Sequence, residues 1–284
     1  MKPLLSILFI LTLTVSLAGC IQINPNPTSE PGEVTTLTIN EAAPENNGST
    51  PRLTLGMGAG KLTISPGGSA WVEGSVMFDV VDWKPEIVRT GSNLSIRQQA
   101  NVSVPSGRSY KNDWNLKLGN IPMELALELG AYEGNMDLSG VPLTRLEISD
   151  GASKNEVVFN SPNPQSMSRF TYKTGASDVT LKGLANANFA VMDFESGAGS
   201  YTLDFSGGPL LQSADVRISS GLSSIKVIIP KGVPAKVSVS GGLNNVQPMG
   251  TWTVTNNVYE VSGTGPALTI SVDMGVGSLE LISQ

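Results

Sequence analysis

The chain has 284 residues, with 18 Lys plus Arg against 24 Asp plus Glu and a formal net charge of −6. No basic block occurs, so the clustered cations that neutralise phosphates are missing; this argues against nucleic-acid binding and against attachment to anionic lipid through a polybasic patch. There is no histidine and one cysteine, which removes intrachain disulfides, histidine general bases and Cys/His zinc sites together.

Residues 1–20 have the form of a targeting segment. Lys2 supplies the positive start, and residues 4–17 are an apolar run too short to span a bilayer comfortably. The run ends in Leu17-Ala18-Gly19-Cys20, which resembles the bacterial lipobox. By that resemblance Cys20 becomes the mature N-terminus and carries acyl chains such as palmitate. Two or more chains, at about 0.8 kcal/mol per buried methylene, anchor a protein without a transmembrane helix. The expected address is the extracytoplasmic face of a bacterial membrane.

Residues 21–50 carry Pro25, Pro27, Pro31 and Pro44 among Asn, Thr, Ser and Glu. This composition reads as a disordered linker, about 30 Å end to end. Residues 34–39 alternate in part and fit a short strand. Residues 51–120 read as an N-terminal β unit. It has one or two strands over 71–81, a turn at 82–85 and two strands around the turn at 90–93, then a polar loop over 102–113 and a strand over 114–118. Trp71 and Trp83 fit core or rim packing better than a sugar-stacking surface.

Residues 121–284 are dominated by one recurring frame. In residues 194–205 (FESGAGSYTLDF) an apolar residue stands three places before a glycine, a small or aliphatic residue follows it, and apolar residues stand four and six places after. The frame returns around Gly175, Gly221 and Gly275, more loosely around Gly130, Gly151 and Gly242, and upstream around Gly58. From Gly130 to Gly242 the steps are 21, 24, 22, 24 and 21 residues, a spacing typical of stacked repeat units. Period-two alternation within each copy means strands. Residues 121–129 (IPMELALEL) contain good helix formers, but their strict alternation also predicts a strand, ended by Gly130. Each glycine is expected where one strand ends and the next begins, with positive φ or close backbone approach. The alanines after it (Ala59, Ala131, Ala152, Ala176, Ala198) are expected to fill a tight inward corner. The fold class is all-β: a β-solenoid, or β-helix-like stack, of roughly 22-residue rungs. A β-sandwich has similar strand spacing, but the register of the glycine column favours the solenoid. Residues 246–261, with a hairpin around Asn256-Asn257, and residues 52–118 are candidate caps for the two ends.

Residues 55–64 (LGMGAGKLTI), 82–85 (DWKP), 138–140 (LSG) and the recurrent Gly-Ala corners resemble the bacterial toast-rack family, which includes LiaF-like C-terminal domains and adhesin-type envelope domains. The resemblance covers roughly residues 51–284. It implies a solenoid-like fold in cell-envelope proteins, some linked to envelope-stress sensing, and it supplies no catalytic motif. LiaF-like proteins proper carry transmembrane helices where this chain carries a lipid-anchor signal.

A solenoid can also carry a carbohydrate-active enzyme of the polysaccharide-lyase kind. Asp178, Asp193, Asp204 and Asp215 fall at different places relative to their glycines, so no aligned acidic stack is expected. Glu124 and Glu128 on a strand both face outward and serve solvation. Gly58-Ala59-Gly60 is a corner, since no helix follows it to cradle phosphate. The expectation is a lipid-anchored, non-catalytic envelope protein with no cofactor and no metal, whose partner is an envelope protein or a glycan.

Overall fold

The computed structural model describes residues 31–45, 48–99 and 109–284; Cys20 and most of the expected polar loop lie outside these. Fifteen strands among the described residues form one sheet. Eight of them are long: β2 (Arg52–Gly68), β7 (Met123–Asp137), β8 (Leu143–Val158), β9 (Met167–Lys182), β10 (Phe189–Asp204), β11 (Ala214–Ile229), β12 (Ala235–Met249) and β15 (Leu268–Ser283). All eight run parallel to their neighbours in the stack.

Each long strand bends in the middle. In β10 the buried side chains are Phe189, Met192 and Phe194 before Gly197, then Tyr201 and Leu203 after it. An odd separation of seven residues between Phe194 and Tyr201 breaks the two-residue alternation at the glycine. An unbent strand would hold residues seven apart about 23 Å from each other, yet the two rings stand 5.2 Å apart, edge to face. Each rung is therefore two arms folded about its glycine, with the core between them. Phe194 also packs on Tyr172 of β9 at 5.5 Å, so the core is continuous from rung to rung.

The glycines stack as expected and for one of the two expected reasons. None of the seven from Gly130 to Gly275 that head the frame in β7–β12 and β15 has positive φ; what excludes a side chain is backbone. A Cβ on Gly197 would sit 2.5 Å from the carbonyl oxygen of Gly175, and one on Gly221 would sit 2.6 Å from that of Gly197. The left-handed residue lies two places later in some rungs, as at Gly199 with φ 148°. The glycines also sit inside strands: β7 continues seven residues beyond Gly130 to Asp137. The alanine column faces the other way from expectation. Ala131, Ala152 and Ala176 lie exposed on the outside of the corner, because the kink turns the residue after the glycine away from the core.

Rung order departs from chain order once. β15 lies between β11 and β12 and pairs with both. At the N-terminal end, β2 is already a full rung, so the sheet runs unbroken across residue 120. The first arm of β2 pairs with β5 (Asn93–Arg97), which carries β4 (Glu86–Thr90). Its second arm pairs with β6 (Asn112–Gly119), followed by β3 (Val72–Phe78) and β1 (Thr35–Glu41). β1 is the short strand expected within residues 34–39, and its Ile39 is buried. A short 3-10 turn over Val81–Trp83 fills the expected turn. At the other end, β13 (Thr253–Thr255) and β14 (Val258–Val261) form the hairpin expected around Asn256-Asn257, with Asn256 at φ 53°.

Candidate binding surface at the glycine corner

The residues one before and two after each glycine turn into the inside of the corner, where β7 places Leu129 and Tyr132 and β15 places Met274. Small polar residues fill much of it: Asp150 and Ser153 in β8, Thr174 and Ser177 in β9, Ser220 and Ser223 in β11. Buried hydroxyls need partners, and these find one another. Thr174 and Ser177 lie 2.6 Å apart, Ser196 donates to Ser220 at 2.8 Å, and Ser220 donates to Ser223 at 2.7 Å.

Asp150 is the centre of the network. Its carboxylate accepts from Tyr172 at 2.9 Å, Ser153 at 3.0 Å, Tyr132 at 3.2 Å, Ser177 at 3.4 Å and from Thr174. Burial, followed by the charge of Asp150, pushes the Tyr172 phenol well above its ordinary range. Burial also raises Tyr132, with Tyr172 and Asp150 adding to it. Both phenols therefore stay protonated and serve as donors. Asn155 donates to the Tyr172 oxygen at 2.9 Å, and its own Oδ1 is buried without a hydrogen-bond partner. Gly134 makes room for it, since a Cβ there would strike that oxygen. A carboxylate offers about four lone-pair positions, and five hydroxyls already claim them. Asp150 has no free lone pair for general-base work.

Outside the corner, the first arms carry a band of ion pairs across successive strands. Arg52 binds Glu124 at 3.0 Å and Glu147 at 2.5 Å, and Arg145 binds Glu147 at 2.7 Å. Arg97 clasps Glu128 through both guanidinium nitrogens, at 2.6 and 2.8 Å. Glu124 and Glu128 thus face outward as expected, but they pair with arginines and are not merely solvated. Asp193 is held by Arg169 and, at 3.3 Å, by Arg217, while Lys173 reaches Glu195 at 2.9 Å. Partial burial of Glu147 would raise its pKa, but the two arginine hydrogen bonds outweigh this and hold it below its ordinary value. Lys173, Asp193, Glu195 and Arg217 line a shallow groove of about 800 Å³ together with Ser149 and Ser219.

Of the four aspartates weighed for lyase chemistry, Asp193 alone enters this groove, already neutralised by two arginines. Trp71 and Trp83 are buried, the former under Arg89 at 5.7 Å, so neither offers a stacking face. Among the described residues no group of three or more acidic or cysteine side chains could hold a metal, and no helix is long and apolar enough to cross a membrane. Reading the sequence for acid pairs missed Asp150, Tyr172 and Asn155. The signal that could have found them was polar residues at fixed offsets from the glycine column.

These features define an open β-solenoid of bent rungs that shares a glycine corner and a continuous core. The chain belongs to the family of the N-terminal domain of toast_rack, DUF2154, whose model matches residues 29–180. A Clostridium sporogenes structure named a "putative cell adhesion protein" is similar at 22% identity and TM-score 0.49, covering 90% of this chain and 100% of that one. A Bacteroides fragilis "putative adhesin" is similar at 9% identity and TM-score 0.45, covering 88% and 97%. No curated protein matches.

Proposed function

We propose that this chain is a lipid-anchored, non-catalytic protein of the bacterial cell envelope, with an adhesion-like or envelope-stress-sensing role. Its rigid body presents the first-arm groove to an envelope protein or a glycan. The observation that carries the reading is that the acids of the corner and of the neighbouring first arms are already engaged: Asp150 inside the corner by hydroxyls, and Asp193, Glu147 and Glu128 outside it by arginines. Acid/base catalysis needs a carboxyl free to exchange a proton with a substrate, and these are committed to holding rungs together. Family membership and the lipobox-like Cys20 support the envelope address. Arg217 and Lys173 each keep half or more of the side chain exposed, and with Ser219 they suit a polar or acidic ligand.

Two measurements test this. In the native host, Cys20→Ser should move the protein from the membrane to the soluble extracytoplasmic fraction; an unchanged distribution would remove the anchor. An array of envelope glycans together with a pull-down of envelope proteins should yield a ligand that the double variant Lys173→Ala/Arg217→Ala no longer holds. Turnover of a polysaccharide by the purified protein would overturn the non-catalytic reading.

A further inference from the structure

The two ends of the sheet are finished differently. At the C-terminal end, β14 covers the start of β12 over Ala235–Ser238. The remainder of that edge carries Pro248, which has no amide proton to offer, and Trp252 folds across the tip, donating to the carbonyls of Met249 and Leu281. Proline and a covering segment are the usual ways of blunting an edge. At the N-terminal end, β4 carries Glu86 and Arg89 on its edge. β1 has none of these devices. Its sequence, TTLTINE, has no proline and no lysine, and its one charge is at the last position. Among the described residues, no strand pairs with its outer side. β1 also stands furthest out: three strands lie beyond β2 on the second-arm side and two on the first. At about 4.8 Å per strand, it projects one strand beyond β4, so among the described residues no strand stands in the way of an incoming one.

From this we infer that β1 is a docking edge for β1 of a second copy of this chain, paired antiparallel about Thr38. The strand selects that register itself. Leu37, Ile39 and Glu41 lie on the inner face and Thr36, Thr38 and Asn40 on the outer. Pairing about Thr38 sets Leu37 opposite Ile39 of the other copy, Thr36 opposite Asn40, and Glu41 opposite uncharged Thr35. A shift of the axis by two residues either way sets Ile39 opposite Glu41 or Leu37 opposite Thr35, losing the apolar pair that stabilises facing strands. A one-residue shift of the axis keeps inner facing inner but leaves one apolar pair in place of two, setting Leu37 opposite Glu41 when centred on Ile39 or Ile39 opposite Thr35 when centred on Leu37, and registers between these set inner side chains against outer ones. The result is a closed two-fold dimer with one continuous sheet, not an open filament. One seven-residue strand pair is a small interface, so the dimer is weak and concentration-dependent.

Disulfide trapping tests the register directly. In the full-length chain with Cys20→Ser, Thr38→Cys supplies the only thiol. Residues facing across an antiparallel pair have Cα atoms about 4.5–5.5 Å apart, within reach of a disulfide. Mild oxidation should give a covalent dimer about tenfold faster than Ser224→Cys, an exposed position on another face, if the register is as inferred. Thr38→Lys places two ammonium groups face to face and should abolish any dimer seen by light scattering at high concentration, with the melting temperature unchanged. Equal trapping at Thr38→Cys and Ser224→Cys would overturn the inference. So would trapping only when Thr38→Cys is combined with a cysteine in β12, which would mean head-to-tail stacking. Protection of the Thr38→Cys thiol in a strict monomer would show instead that residues of the same chain N-terminal to β1 occupy the edge, and would overturn it equally.

Discussion

The corner is filled in two ways along one stack. In β7–β9 its inside holds a carboxylate, two phenols and an amide gathered on Asp150; in β10 and β11 it holds serines bonded to serines. Outside, β7–β10 carry Ala131, Ala152, Ala176 and Ala198, while β11 and β15 carry Leu222, 61% exposed, and Val276, 47% exposed. The backbone frame is the same in both halves: Gly175 against Gly151 and Gly221 against Gly197 make the same close approach. The glycine ladder sets the fold, and the filling of the corner is free to differ as long as each buried polar group finds a partner.

The largest expected loss is at the joint between the halves. Phe194→Ala removes a ring fully buried between Tyr172 and Tyr201 and should cost about 4 kcal/mol in chemical denaturation. Gly197→Ala drives a methyl into the Gly175 carbonyl and should cost about 3 kcal/mol. Gly151→Ala, whose Cβ would lie 3.2 Å from the nearest carbonyl, should cost clearly less. Equal costs at these two glycines would break the claim that backbone approach sets the requirement. Asp150→Ala strands several buried donors at once and should cost about 2–3 kcal/mol, while Ser220→Ala in the other half should cost about 1 kcal/mol. Reversal of that order would mean that the Asp150 network is not a keystone of its half.

The smallest effects are on the surface. Glu147 has a folded-state pKa below its unfolded value, so its stabilising contribution is complete above the unfolded pKa. It is lost as pH falls through the lower, folded one. Acid titration of Glu147→Gln against the parent should show the two stabilities converging below about pH 4, from a gap of under about 1 kcal/mol at neutral pH. Leu222→Ser should be neutral to within about 0.5 kcal/mol, since its side chain stands outside the corner.

Much of this architecture was legible in the sequence because parallel stacking repeats its demands. Every rung needs glycine where backbones touch, so residues 197, 221 and 275 declare themselves without coordinates. The hairpin at 256–257 and the β4–β5 turn were equally clear, since turn residues there separate alternating runs. What failed was orientation. The alternation resets at the glycine, and nothing in the spacing of Gly197 and Ala198 says which way the chain kinks; the alanines were therefore assigned to the wrong side. The place of β15 was hidden for a related reason. Its frame matches the other copies, and similar rungs carry no mark of which neighbour they take. The Asp150 network was obscured because its members come from three rungs and are far apart in the chain.

The insertion of β15 between β11 and β12 has a consequence for biogenesis. β12 cannot reach its final place until β15, which follows it in the chain, is available, because β12 meets β11 only through β15. A polypeptide emerging amino end first would assemble its leading rungs early and hold β12 unsettled until β15 emerges. Loss of β15 alone would detach β12 with its hairpin and uncover β11, so deleting that one strand should be far more damaging than its length suggests.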